Sequence, residues 1–131
     1  MRNLLAVMLL LSAITGCSSN PDKQVQREDG LKFAFSSGDK FILTRACTEQ
    51  VDYLGIDKGG NNQLAIVVKK DKSCFPHLDA LINKNIGTQV TVSFKGTPII
   101  SNTIQTALGP SFRMSIKDAE QAVNIVSALK N

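Results

Sequence analysis

Tryptophan is absent from the 131 residues, tyrosine and histidine occur once each, and aromatic residues make up only 5% of the chain. Each scarcity removes a class of function. With His77 as the sole imidazole and no two cysteines at short spacing, a closed zinc site lacks ligands, so no metal is expected. The same scarcity leaves a nucleophile without the usual base and orienting partner, and His77 beside Pro76 reads as a solvent-facing or edge-packed residue. No basic stripe interleaved with aromatics is present, so a nucleic-acid partner is not expected. The apolar run Leu4 to Thr15 is too short to cross a bilayer as a permanent helix.

The residues that could still carry chemistry read more simply. Gly55, Gly59 and Gly60 are not followed by Lys-Ser or Lys-Thr, and no helix opens there, so they are turn residues and not a phosphate cradle. Asp52 and Asp57 flank Tyr53, but nothing fixes their separation as a pair of catalytic carboxylates requires. The expectation is a protein that is not an enzyme and uses no cofactor.

Met1, Arg2 and Asn3 give a short positive start to the apolar run, the pattern of a secretory signal. Ile14, Thr15 and Gly16 then precede Cys17, an order that resembles the lipobox of bacterial lipoproteins. The resemblance implies cleavage after Gly16, with residues 1–16 as leader and Cys17 as the acylated first residue. Ser18 and Ser19, where an Asp resembles an inner-membrane retention signal, imply an outer-membrane anchor with the domain in the periplasm. Two or more acyl chains, at about 0.8 kcal/mol per buried methylene, suffice for stable attachment. The other reading is an ordinary signal peptide with a thiol beside its cleavage site, exposed in an oxidising compartment. Residues 17–30 are polar with almost nothing apolar, a tether whose ends would lie on the order of 20 Å apart.

With Cys17 assigned to lipid, Cys47 and Cys74 remain and can pair as a disulfide, the usual fate of two thiols in one small exported domain. The alternative for each is a buried free thiol. Losing Arg2 with the leader lowers the formal charge from +4 to +3, and the one local basic cluster, Lys69, Lys70 and Lys72, reads as a solvated strand end.

Residues 31–131 form one domain. "LKFAF" and "KFILTRA" suggest a hairpin across Ser36 to Asp39, and "VDYLGI" and "LAIVVKK" a second one across Asp57 to Gln63. Phe75, Leu78, Leu81, Ile82 and Ile86 line one helix face, with Ser73 as N-cap and Gly87 at the end. Val90, Val92 and Phe94 alternate as a half-buried strand, Lys95 to Pro98 turn, "IISNTI" extends, and "SFRMSI" follows another turn. Ser115 with Asp118 resembles a capping box before a stripe of Ala119, Ala122, Val123, Val126 and Leu129. The expected class is α+β, a two-layer sandwich with a mainly antiparallel sheet and two helices packed on one face.

The order strand, helix, "NIGTQVTVSFKGTPIIS", turn, strand, "SIKDAEQAVNIVSAL" is similar to the periplasmic head of SecD, the accessory subunit of the Sec translocon. The matching positions are Asn85 and Gly87, Lys95 and Gly96, Ile100 and Ser101, then Ala119, Ala122 and Leu129, within residues 64–129. Lys95 replaces the family's acidic turn residue, Asn102 replaces its proline, and its membrane-spanning segments are missing from this sequence. Without them there is no proton path, so the resemblance implies a compact periplasmic module that contacts polypeptides and not a driver of translocation.

Three functions from different classes compete. The leading one is an outer-membrane-anchored periplasmic lipoprotein that acts as a non-catalytic protein-interaction module. Its partner would meet an open strand edge or Tyr53, which could equally be a packed strand residue. The second is an inhibitor or immunity protein against a toxin or lytic enzyme acting in the periplasm. The third is a binder of a small ligand or envelope polymer, which needs an apolar pocket on the order of a few hundred Å³.

Overall fold

Alternation of apolar with polar residues organises the chain from its first strand. The computed structural model describes residues 30–131; the expected leader, Cys17 and the expected tether as far as Asp29 lie outside the described residues. In β1 (Leu31–Phe35) Leu31, Phe33 and Phe35 are buried and Lys32 and Ala34 are half-buried, so one face turns inward. Its antiparallel partner is β2 (Lys40–Leu43), in register from Leu31↔Leu43 to Ala34↔Lys40. A 3-10 turn, Arg45–Cys47, leads into β3 (Thr48–Ile56), which pairs with β4 (Asn62–Val68). Both hairpins expected from the sequence are present.

Then follow α1 (Phe75–Lys84), β5 (Gln89–Phe94), β6 (Thr97–Thr103), β7 (Ser111–Ile116) and α2 (Ala119–Leu129). The fold is α+β, and all its strand pairs are antiparallel. The strands divide into a four-stranded sheet in the order β2-β1-β5-β6 and a three-stranded sheet in the order β3-β4-β7. The 3-10 turn is the first of three crossings between the sheets; the others run through α1 and from β6 to β7. Each sheet contributes its apolar face to one core: Leu31, Phe33 and Val92 from the first, Leu64, Ile66 and Met114 from the second. Phe33 meets Phe41 and Phe112 edge-on, with ring centroids 6.2 and 6.4 Å away, and so joins the sheets.

The disulfide joins Cys47 to Cys74 across 27 residues, with 5.2 Å between Cα atoms. It fastens the 3-10 turn to the start of α1, and just past β4 the Lys69 amide also donates to the Cys47 carbonyl (2.8 Å). Cys74, not Ser73, takes the N-cap position, and it makes no side-chain cap bond, because the bridge fixes where the helix begins. Ile86 is exposed instead of inward, since α1 stops at Lys84 and Gly87, at φ 92°, turns the chain away.

Two further expectations shift. Lys95 and Gly96 alone make the turn between β5 and β6, with φ of 50° and 82°, so Thr97 and Pro98 already belong to β6. The Ser115 capping box is not formed: β7 runs through Ile116, which leaves Ser115 accepting from Gln63 Nε2 (2.7 Å), and Asp118 itself caps α2 by accepting from the Glu120 amide (3.0 Å). The inward stripe of α2 is accordingly Ala122, Ile125 and Leu129 with Val126 at its margin, while Ala119 and Val123 face outward.

Candidate functional site

In a three-stranded sheet one strand edge on each side is open, and here β3 is one of them. Its pairing with β4 is interrupted twice, between Thr48 and Gln50 and between Tyr53 and Gly55, leaving Glu49 and Leu54 as the extra residues. Gly55, at φ 103°, supplies the backbone conformation that the second bulge uses. Bulges bend the strand and break the row of free backbone groups, so this edge presents side chains more than a ladder.

Those side chains are apolar. Tyr53 is 44% exposed, Leu54 47% and Ile56 65%. Tyr53 stands opposite Leu64, so it shares the inward face of the sheet, yet lies at that face's open margin. Its hydroxyl donates to Asn62 Oδ1 at 2.7 Å. Asn62 is buried and fully employed, its Nδ2 donating to the Ile116 carbonyl (3.0 Å) and the Lys117 carbonyl (3.2 Å). One amide therefore ties β4, the end of β7 and the tyrosine ring together, which fixes the ring's position.

Helix α2 completes the margin. Asn131 Nδ2 donates to the Thr48 carbonyl (2.8 Å), and Lys130 shares a cleft with Glu49 to Asp52, so the helix runs antiparallel to β3 along its length. Asn124, Ser127 and Ala128 lie on the opposite flank, beside Arg45 and Lys95. By helical spacing Val123, 56% exposed, falls on the β3 flank, roughly level with Tyr53 at 1.5 Å per helical and 3.3 Å per strand residue. Tyr53, Leu54, Ile56 and Val123 are four of the five large hydrophobics that the described residues leave most exposed; the other is Ile86. Scattered singly they would call for no explanation, but Tyr53, Leu54 and Ile56 fall within four residues of one open strand edge, an exposed apolar run with Val123 on the helix flank beside β3.

The remaining candidates have local duties. Asp57 holds its own turn, accepting from the Gly59 and Asn61 amides (2.9 Å each) and from Gln63 Nε2 (3.0 Å), while Asp52 accepts from Gln50 Nε2 (2.6 Å). His77 is exposed, with its ring 5.7 Å from that of Phe41. Asp39 accepts from Asn85 Nδ2 (3.3 Å), sits 3.2 Å from the Lys84 ammonium and accepts from the Ser37 hydroxyl (3.0 Å); these contacts, the amide foremost, hold its carboxyl below the ordinary value of 3.8. Among the described residues no three His, Cys, Asp or Glu side chains gather as metal ligands, and no helix is long and apolar enough to cross a membrane. A separate apolar cleft of about 220 Å³ lies between β1, α1 and the segment after β6, walled by Phe33, Phe35, Ile82, Val90, Ile104 and Leu108.

Of the surface residues, sequence reading singles out Tyr53 and misses Leu54 and Ile56. The signal was present in "YLG": two successive apolar residues and a glycine break strand alternation in the manner of a bulge.

No protein-family model matches the sequence, and no curated protein matches it. Solved structures do share the fold. A structure of SecDF, a membrane component that enhances protein export, aligns with 72% of this chain and 46% of its own, at a TM-score of 0.54 and 16% identity. SecDF in its super-membrane-facing form aligns with 88% of this chain and 22% of its own, at a TM-score of 0.54 and 12% identity. This chain thus spans less than half the length of either. At such identities the likeness is one of fold, it reaches beyond residues 64–129, and it is the architecture that the resemblance to SecD implied.

Proposed function

We propose that the chain is a lipid-anchored envelope protein, attached through Cys17 to the periplasmic face of the outer membrane, whose domain is a non-catalytic protein-interaction module. The observation that carries this reading is the exposed apolar run Tyr53, Leu54 and Ile56 on the open β3 edge, with the tyrosine ring held by a buried amide. Fixed aromatic and aliphatic side chains at an open edge are the usual anchors of a protein contact. The SecDF-like fold supports polypeptides in the setting of protein export as the first partner class to test.

A photo-crosslinker placed at Leu54 in living cells, with Ile86 as the control site, tests the reading. A discrete adduct from position 54, lost on Val123→Lys, is expected; adducts of equal yield from both positions, or none from either, would sink it. Mass spectrometry of the adduct separates the roles: a lytic enzyme or toxin as partner would make this an inhibitor or immunity protein using the same surface. The apolar cleft between β1 and α1 supports a second reading, a binder of a small apolar ligand. Shifts of the Ile104 and Leu108 methyl resonances on adding a medium-chain alcohol would favour it.

A further inference from the structure

The ends of the strands sort the charges of the domain. Leu31, Leu43 and Phe94 stand side by side at one end of the first sheet, Thr48 and Val68 at one end of the second, and the 3-10 turn joins the two. At this end lie Arg45 in the turn, Lys69, Lys70 and Lys72 between β4 and the disulfide, Lys95 in the β5–β6 turn, and Lys130 after α2. Arg45 and Lys95 line a common cleft, and Arg45 Nη2 donates to the Ser127 carbonyl at the close of α2 (3.0 Å). The only carboxylates among the described side chains here are Glu49 and Asp71.

The opposite end is balanced. Lys40, Lys58, Lys84 and Lys117 stand with Asp39, Asp57, Asp118 and Glu120, and midway Lys32 and Arg113 offset Asp52 and Asp79. The whole side-chain excess of the described residues therefore sits on one end. Along β4 the two ends of the second sheet are about 20 Å apart, roughly two Debye lengths at 0.1 M salt, whereas β1 and β2 span only about 10–13 Å, and Lys117 and Asp118 share a cleft with Pro98 and Ile99 at the start of β6.

That end is also where the domain meets its tether. Gly30 packs so closely on Leu43 that a Cβ would collide with the Leu43 carbonyl oxygen, so the chain emerges beside Arg45. Asp22, Glu28 and Asp29 against Lys23 and Arg27 in the preceding stretch offset only one of the excess charges. We infer that this basic end is a docking face for an anionic phospholipid surface. A lysine or arginine held at such a surface favours attachment about fivefold, and the effect fades within a Debye length, so only charges on the near end count. With the tether leaving from the same face, the domain stands on the bilayer and turns the Ile56 end of the apolar margin away from it.

The inference goes beyond the proposed function and rests on the Cys17 anchor only for its setting, and the test separates the two. The mature chain, residues 17–131 with Cys17→Ser, carries no lipid and can be sedimented with vesicles, whereas intact-mass measurement of the native protein reads the acylation. Binding is expected to phosphatidylcholine vesicles containing about a quarter phosphatidylglycerol, with loss in about 0.5 M NaCl and none to phosphatidylcholine alone. Replacing Lys69, Lys70 and Lys72 by Gln should weaken it more than tenfold, and the same change at Lys40, Lys58 and Lys117 by less than threefold. Absence of binding to the anionic vesicles, or equal weakening by the two triple variants, overturns the inference.

Discussion

Replacing Asn62 by Asp changes almost nothing in shape and reverses the chemistry of the buried node behind the β3 margin. The amide donates to two carbonyl oxygens, at 3.0 and 3.2 Å. Losing those bonds costs about 1 kcal/mol each, net of solvent exchange. A carboxylate in the same place would face both oxygens in a site without solvent, and a buried charge whose one remaining donor is the neutral Tyr53 hydroxyl adds several kcal/mol more. The sum, at least about 4 kcal/mol, is a large part of the roughly 5–15 kcal/mol that holds a small domain folded. Burial and the two carbonyls also raise the pKa of the new acid in the folded state. A raised carboxyl pKa penalises the fold at pH above the unfolded value, and the penalty shrinks as the pH falls and the group takes up a proton. Urea unfolding of Asn62→Asp should therefore show its largest deficit near pH 7.5 and partial recovery near pH 4.5. Asn62→Ala, which loses the same bonds without adding charge, should be weakened about equally at both. A deficit for Asn62→Asp that does not depend on pH, or no deficit at all, would refute the account of the node.

Three other outcomes follow from the fold. Replacing Cys47 and Cys74 together by Ser should lower the unfolding free energy by about 3–4 kcal/mol, the loop-closure entropy for their 27-residue separation; denaturant curves with a loss below about 1 kcal/mol would contradict it. Ile125→Ala should cost about 2–4 kcal/mol and Val123→Ala no more than about 0.5 kcal/mol, and thermal unfolding with the order reversed would return Val123 to the core. Asp39 should titrate below 3.8 by carboxyl NMR; because its folded pKa is depressed, its stabilising contribution is present above 3.8 and lost as pH falls through the folded value, so Asp39→Asn should flatten acid unfolding there. A midpoint at or above 3.8 would count against the Asn85 and Lys84 contacts.

What could be read from sequence was what neighbours along the chain decide. Alternation in "LKFAF" and "TQVTVSF", the Gly-Asn turn before β4 and the spacing of Leu78 and Ile82 are local patterns, and each element they imply is present. The division into two sheets depends on pairings such as Phe33 with Val92 and Leu64 with Met114, about fifty residues apart or more, which periodicity does not encode. Of the expected α2 stripe, Ala122, Val126 and Leu129 do turn inward, but Ala119 and Val123 do not; they are as apolar as Ala122 and Ile125, and the choice rests on how the helix lies against β3 and β4. Exposure of Leu54 and Ile56 follows from β3 having no neighbour on one side, a property of the assembled sheet. The basic end was hidden likewise: Lys69 to Lys72 is visible as a cluster, whereas Arg45, Lys95 and Lys130 join it only through the fold.

The two interruptions in β3 also govern how copies of this chain meet one another. A straight nine-residue edge bearing tyrosine, leucine and isoleucine would be a template for stacking into fibrils, each molecule extending the hydrogen-bonded ribbon of the last. With Glu49 and Leu54 out of step, the longest unbroken register is the four residues Gln50 to Tyr53, too short to propagate such growth. Stickiness is thereby uncoupled from polymerisation, so a crowded population of molecules can stay separate while each keeps an adhesive flank.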